Sequence, residues 1–431
     1  MPLASKIRFD HPFAGGYPGI GSQPLPTDAD AIDYLTRVAA ADGAGVEVGV
    51  AVAVDAFVAD SKALGVWDSI RASCVLAGAR TLAGALVPLR DYGPELWDGT
   101  AAPLVINNFG SSGTYNISDK TFTTAGTSTS NGYPRFRFQS LGLTAGKQYR
   151  VTGVLSGDIS KLFTIRFRTS TGAGIGVSPE GLIDSTLTAD QALLEWVFDG
   201  TPPSSSITIE SLSIREVIAS PTNVADGFVE GDFSRTAGLT GDGTSYIDSG
   251  RANDADPQND NHNAVFISAI NSFTQILGSR NSTTGRNFMD LGGGGYKLRV
   301  SARSDTVLTT AAAPDSGTVI AHARSDSAEM SYRLNGVTYT DTLASESPDV
   351  DTLLVYARRN VSTGAAENFS TNTLAFYSIG TSLSLADLDT AVSNLINRLK
   401  FAILVGENPS GLDPDTIDYI VRGYEAGGSL E

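Results

Sequence analysis

The chain has 431 residues, with 47 acidic and 30 basic side chains and a formal net charge of −17. This length favours two or three domains over a single core. The acidic balance argues against a nucleic-acid partner, because phosphate binding requires clustered Lys and Arg. The single cysteine, Cys74, excludes an internal disulfide and any multi-cysteine metal site, and it favours folding in a reducing cytoplasm.

The sequence shows neither the pattern of a signal peptide nor that of a membrane-spanning helix. Residues 1–6 lack the apolar stretch of a signal peptide, and no window approaches about 18 uninterrupted apolar residues. We therefore expect neither export by the general route nor membrane insertion.

The first 95 residues divide into an arm and a helical base. Residues 1–27 are punctuated by Gly and Pro, which predicts an extended arm without helix or strand. In the base, residues 28–95, Asp28 caps a predicted helix over 29–40, and apolar spacing predicts a second helix over 46–64. A third helical or turn-rich segment is predicted around Trp67, Ile70, Cys74 and Leu76.

Residues 96–218 carry short β-type runs separated by Gly, Ser, Thr and Asn, which predicts an antiparallel sandwich. The runs occupy residues 133–138, 148–154, 163–168, 194–198 and 206–215.

A second sandwich is predicted over residues 219–402. Residues 238–249 lead from turn glycines into an alternating strand, and Asn335-Gly336 predicts a tight hairpin. A strand over residues 374–380 precedes an apolar helical stripe that starts at Leu385. Residues 403–431 are predicted to hold a last short helix and a tail.

These patterns resemble known families. Residues 238–249, 331–337 and 374–388 resemble the two ends and the central hairpin of a concanavalin-A/laminin-G-like sandwich. The order of strands in residues 96–218 resembles a carbohydrate-binding-module-like jelly roll, here inserted into the chain. Residues 75–88 and 254–259 are similar to segments that accompany this sandwich in structural proteins of tailed bacteriophages. The fold class expected is mainly β, with two antiparallel sandwiches, an N-terminal helical segment and C-terminal helices.

Candidate binding residues follow from the resemblance to a jelly roll, since sugar faces stack on exposed aromatic rings. Trp97 and Tyr133 adjoin loop residues and are the candidate platforms. Trp196 alternates within an apolar strand and is expected in the core.

A calcium candidate is formed by Asp254, Asp256 and Asp260, because carboxylate oxygens are the ligands that calcium prefers. Against it, the segment lacks the Gly and the terminal Glu of an EF-hand loop, and such clusters more often form turns. We therefore predict no bound metal or cofactor.

Catalytic residues are not indicated. No strand carries the alternating carboxylates of a retaining glycosidase, and Glu230-Gly231-Asp232 is interpreted as a solvated turn. His11 lies in the arm, His262 in a polar loop and His322 on an alternating strand, where structural roles are expected.

The function predicted is that of a non-enzymatic virion protein of a tailed phage, either a tail-fibre or tail-tip protein or a capsid decoration protein. It is expected to assemble in the host cytoplasm, bind other virion proteins through the arm and display the sandwiches for glycan or host attachment. A homo-oligomer, favoured as a trimer, is implied by the resemblance and by avidity. The alternatives are a polysaccharide depolymerase and a bacterial surface adhesin, the latter needing an export signal.

Overall fold

The structure is a computed structural model. It describes residues 26–90, 92–97, 103–106, 111–126, 135–138, 141, 143–144, 147–167, 177–189, 194–198, 205–217, 222–223, 227–279, 285–292, 297–304, 306–360 and 362–407. The predicted arm, apart from residues 26 and 27, and the predicted last helix and tail beyond residue 407 lie outside the described residues.

The chain divides into two compact units, one of Met1–Asp91 with Ile218–Glu431 and the other of Tyr92–Val217. The first unit is called the host unit here and the second the inserted unit. Among the described residues the α-helices are α1 (Ala29–Asp42), α2 (Val48–Ala63), α3 (Leu82–Ala85) and α4 (Leu385–Glu407), and each of them belongs to the host unit.

The strands are numbered in chain order. The host unit begins with β1 (Ile70–Val75). The inserted unit contains β2 (Tyr92–Glu95), β3 (Leu104–Ile106), β4 (Ser111–Asn116), β5 (Thr121–Gly126), β6 (Arg135–Phe138), β7 (Gln148–Gly157), β8 (Leu162–Phe167), β9 (Leu182–Thr188), β10 (Leu194–Phe198) and β11 (Ser205–Val217). The host unit continues with β12 (Thr222–Asn223), β13 (Phe233–Ser234), β14 (Gly238–Thr240), β15 (Ile247–Ala252), β16 (Asn261–Ala269), β17 (Gln275–Gly278), β18 (Asn287–Gly292), β19 (Lys297–Ala302), β20 (Leu308–Thr309), β21 (Thr318–Arg324), β22 (Glu329–Leu334), β23 (Val337–Thr342), β24 (Thr352–Val355), β25 (Arg358–Arg359), β26 (Ala366–Glu367) and β27 (Thr373–Gly380).

The host unit is a sandwich of two antiparallel sheets, as predicted. The eight-stranded sheet runs β13-β14-β27-β16-β21-β22-β23, with β1 also paired to β27, and the seven-stranded sheet runs β12-β15-β24-β17-β18-β19-β20. One apolar cluster, which includes Val265, Ile320 and Met289, fills the space between the sheets. The predicted hairpin is confirmed, since Asn335 and Gly336 adopt φ values of 50° and 73° between β22 and β23.

The helices cover the outer face of the eight-stranded sheet. Asp28 accepts a hydrogen bond from the Asp30 backbone N–H at the start of α1, which confirms the predicted cap. The rings of Phe57 on α2 and Phe376 on β27 meet edge to face, with centroids 6.1 Å apart. The predicted stripe of α4 is buried in the same cluster, from Leu385 to Leu399.

The base predicted over residues 28–95 is not separate from the sandwich. Residues 70–75, predicted as helical or turn-rich, form β1, and Cys74 lies opposite Tyr377 of β27. Cys74 is a buried free thiol. One edge of β27 is thus shared by β14 and β1, and its other edge pairs with β16. The N-terminal segment belongs to the fold of the host unit.

The described residues of the inserted unit form a four-stranded sheet, β3-β6-β10-β8, and a six-stranded sheet, β4-β5-β11-β7-β9 with β2 also paired to β11. Aromatic rings dominate the core between them: Phe122 and Trp196 lie 5.0 Å apart between centroids, and Trp196 is fully buried, as predicted. The inserted unit is a second antiparallel sandwich with its own core.

Candidate ligand-binding face

Trp97 is not the exposed platform that the sequence predicts. Its side chain is only 6% exposed, and its ring packs edge-on against Phe138 with centroids 5.0 Å apart. The residue lies two positions after the end of β2 and extends the aromatic core of the inserted unit, where apolar burial outweighs the loop character of its neighbours. Tyr133, the other candidate, lies outside the described residues.

Two of the three carboxylates of the calcium candidate, those of Asp256 and Asp260, have other partners. Asp256 receives two hydrogen bonds from the Arg251 guanidinium, at 2.9 and 2.5 Å. Asp260 accepts from the backbone N–H and the hydroxyl of Ser382. Asp254 is exposed, and within the described ranges no three His, Cys, Asp or Glu side chains are grouped to hold a metal ion. The segment ties a loop to the sandwich.

The two histidines of the described region are structural. His262 lies in β16 and not in a loop, and its ring nitrogens are 2.6 Å from the Thr381 carbonyl oxygen and 2.7 Å from the Ser378 hydroxyl. Burial lowers the pKa of His262 to about 4 and that of His322 to about 3. Both rings are therefore neutral at pH 7.

Glu230 of the Glu-Gly-Asp turn accepts from the Leu82 backbone N–H, which ties the turn to α3.

The most distinctive polar surface is the outer face of the six-stranded sheet in the inserted unit. Along β7 successive side chains face opposite sides of the sheet, and Tyr149, Val151 and Leu155 are buried in the core. Their neighbours Arg150 and Thr152 point outward, because successive side chains of a strand face opposite sides. We call this surface the Arg150 face. Its residues are Tyr92, Arg150, Thr152, Val154, Leu182, Asp184, Thr186, Ser211, Ser213 and Arg215.

Arg150 is held in place by two neighbours. Its Nε and Nη2 donate to the two carboxylate oxygens of Asp184 at 3.1 and 3.3 Å, and its Nη1 donates to the Tyr92 hydroxyl at 2.7 Å. The guanidinium carbon also lies 5.3 Å from the centre of the Tyr92 ring. Burial lowers the pKa of Arg150, but Asp184 and Tyr92 outweigh burial and raise it, so the side chain stays charged.

An apolar pair lies beside these charges. Val154 and Leu182 are directly opposite each other on β7 and β9 and are 39% and 53% exposed. Thr152 is paired with Asp184 on one side and with Ser213 on the other. Hydroxyls, a fixed ion pair and an apolar patch thus share one open surface.

This combination suits a ligand rich in hydroxyl groups. Asp184 is 67% exposed, so its carboxylate oxygens have lone pairs left to accept from ligand hydroxyls. The guanidinium is already oriented, which lowers the entropy lost when a ligand binds. The apolar pair offers contact to the C–H face of a sugar ring.

Sequence reasoning missed this face because it looked for aromatic rings. The available signal was the alternation in residues 148–154, in which every second residue is apolar and Arg150 and Thr152 fall between them. Such alternation predicts an outward polar row but does not show that Tyr92 and Asp184 join it.

Comparisons with known proteins give distant likenesses. No protein-family model and no curated protein matches the chain. Domains LG4-5 of the mouse laminin alpha1 chain match with 10% identity and a TM-score of 0.26, covering 67% of this chain and 88% of that chain. The CBM22-1-CBM22-2 tandem domain of Paenibacillus barcinonensis Xyn10C matches with 9% identity and a TM-score of 0.21, covering 65% of this chain and 93% of that chain. Because both TM-scores are well below 0.5, the fold is assigned from the sheets described above and not from these likenesses.

Proposed function

We propose that this chain is a non-enzymatic virion protein of a tailed bacteriophage, in a tail fibre, tail tip or capsid decoration, that attaches to host-surface glycan through the Arg150 face. The observation that carries the glycan assignment is the Arg150–Asp184–Tyr92 arrangement beside exposed Val154 and Leu182. The phage assignment is supported by the resemblance of residues 75–88 and 254–259 to segments of structural proteins of tailed bacteriophages.

The remaining parts of the proposal follow from the same role. The arm, residues 1–27, attaches the chain to other virion proteins. Single glycan sites are weak, so several copies, favoured as a trimer, hold a cell by avidity. Mass spectrometry of purified virions tests the location, and absence of the chain from particles contradicts it.

Replacing Arg150 with Ala is expected to weaken glycan binding by roughly 10- to 100-fold. Hydrogen bonds to charged groups contribute about 1.5–3 kcal/mol each, and 1.4 kcal/mol corresponds to a factor of ten. The measurement is binding of the full chain to a glycan array, followed by titration of the best glycan. Asp184→Ala is also expected to lower the affinity for the glycan.

The matched control is Arg398→Ala, because Arg398 pairs with Asp60 on the helical surface of the host unit with similar exposure. Equal binding by the Arg150 and Arg398 variants would contradict the proposed site. Incubation with host polysaccharide is expected to release no new reducing ends. Release of reducing ends would instead favour a depolymerase.

A further inference from the structure

The β22–β23 hairpin of the host unit carries a stacked pair of tyrosines. Tyr332 and Tyr339 are directly opposite each other, with ring centroids 5.1 Å apart and ring planes 15° apart. Tyr332 is also paired with buried His322 of β21 and packs against the cluster between the two sheets. Both rings therefore lie on the inner face of the eight-stranded sheet, at its edge.

The far side of the Tyr339 ring is open. Among the described residues β23 is the last strand of this sheet, and all six of its residues are exposed. Tyr339 is 44% exposed. Tyr332 covers one face of its ring, and the opposite face points beyond the sheet edge, where no described strand follows.

A carboxylate and an apolar side chain flank this ring. Asp341 and Val337 lie two residues to either side of Tyr339 and so share its face of the strand, each about 7 Å away along the chain. Burial, Asp341 and Tyr339 raise the pKa of Tyr332, which places the Asp341 charge near the tyrosine pair. Val337 is 48% exposed.

We propose that Tyr339 and Asp341 form a second carbohydrate site, in which a pyranose stacks its C–H face on the open Tyr339 ring and a sugar hydroxyl donates to Asp341. The negative face of an aromatic ring attracts polarised C–H groups, and a carboxylate forms strong hydrogen bonds with hydroxyls. A flat single ring face favours a sugar over a quaternary ammonium ion, which needs several rings around it. This site is separate from the Arg150 face.

The test uses the full chain carrying Arg150→Ala, so that the first site does not contribute. Saturation-transfer difference NMR is recorded with the methyl glycosides of glucose, galactose, mannose and N-acetylglucosamine. We expect transfer to sugar C–H protons in at least one case, and Tyr339→Ala should weaken that binding by roughly five- to tenfold. Tyr339→Phe should retain it because the ring remains, and Asp341→Asn should lower it partly.

The control is Val350→Ala, an exposed side chain outside the hairpin, which should leave the transfer unchanged. Circular dichroism verifies that each variant is folded. Absence of transfer from all four sugars, or equal transfer in the Tyr339→Ala variant, would overturn the proposal. A Tyr339-dependent dimer in sedimentation without any sugar transfer would also overturn it, since the edge would then serve a second copy of the chain. Neither result affects the test of Arg150, because that test measures glycan binding to the inserted unit and not to the host unit.

Discussion

His262 and His322 show how burial sets the charge of individual residues in the host unit. Both are fully buried, and their pKa values are lowered from 6.5 to about 4 and about 3. His262 is satisfied by Thr381 and Ser378, and the Nε2 of His322 lies 3.2 Å from the Asn263 amide. The folded state therefore favours both rings in the neutral form at pH 7.

The free energy of unfolding is expected to fall as the pH drops from about 6.5 to 4. The unfolded chain binds protons at both histidines in this window and the folded chain does not, so acid favours unfolding, by up to about 1.4 kcal/mol per pH unit for each histidine. Asp349 acts in the opposite direction, because burial raises its pKa to about 6 and the folded state takes up its proton first. Asp290 acts as Asp349 does, because burial raises its pKa as well. We expect the two histidines, whose pKa values fall to about 4 and about 3, to outweigh these two carboxyls and leave a net loss of stability.

The measurement is urea denaturation at pH 7 and pH 5 for the parent and for His322→Gln. We expect a smaller difference between the two pH values in the variant, whatever its stability at pH 7. Asp349→Asn is expected to enlarge the difference. An unchanged pH dependence in the His322 variant would contradict this account.

At the scale of single residues, the solvent exposure of a side chain was the property hardest to predict from the sequence. Trp97 lies just after a strand and is followed in the sequence by Asp98, Gly99 and Thr100, yet its ring is buried against Phe138. Tyr339 alternates with threonines like any strand residue, yet its position on the last strand of a sheet leaves one ring face open. Both outcomes depend on neighbours distant in the chain, which local patterns do not contain.

At the scale of elements, local signals predicted what local forces determine. The Asp28 cap, the apolar stripe of α4 and the Asn335-Gly336 turn are all confirmed, because each depends on residues a few positions apart. β1 was missed because Ile-Arg-Ala-Ser-Cys-Val shows no clear alternation, and all but one of its residues are buried. Its conformation comes from pairing with β27 near the other end of the chain.

Gly380→Ala is expected to destabilise the host unit by roughly 1–3 kcal/mol. A Cβ at this position would lie 1.9 Å from the Ser69 carbonyl oxygen, so β1 must move away from β27. Hydrogen exchange should show the largest loss of protection in residues 70–75, with less change in β21. Gly231→Ala is the control, since nothing lies within 4 Å of its added methyl group. Uniform loss of protection across the sheet would show that β1 is not the element disturbed.

At the scale of the whole molecule, the two units have separate apolar cores. Phe136 and Trp196 belong to the core of the inserted unit, whereas Phe376 belongs to the cluster beneath the helices of the host unit. The chain is therefore expected to unfold in two steps.

Calorimetry of the full chain should show two transitions, one of which is reproduced by residues 92–217 alone. Phe136→Ala should lower only that transition, because the cavity costs about 3–5 kcal/mol within its own core. Phe376→Ala is the matched substitution for the other transition, since both rings are fully buried. A joint shift of both transitions by either variant would contradict independent units.

The inserted unit begins and ends on neighbouring strands, with Tyr92 of β2 paired to Val217 of β11. Its two ends are therefore held about 5 Å apart by its own hydrogen bonds. The host unit therefore sees the 126 inserted residues as a connection no wider than a hairpin turn. Because the folded insertion itself holds its ends together, the entropy lost on closing this connection does not grow with the size of the insertion. Recombination can thus exchange this unit for another whose termini are equally close while the host unit keeps its fold.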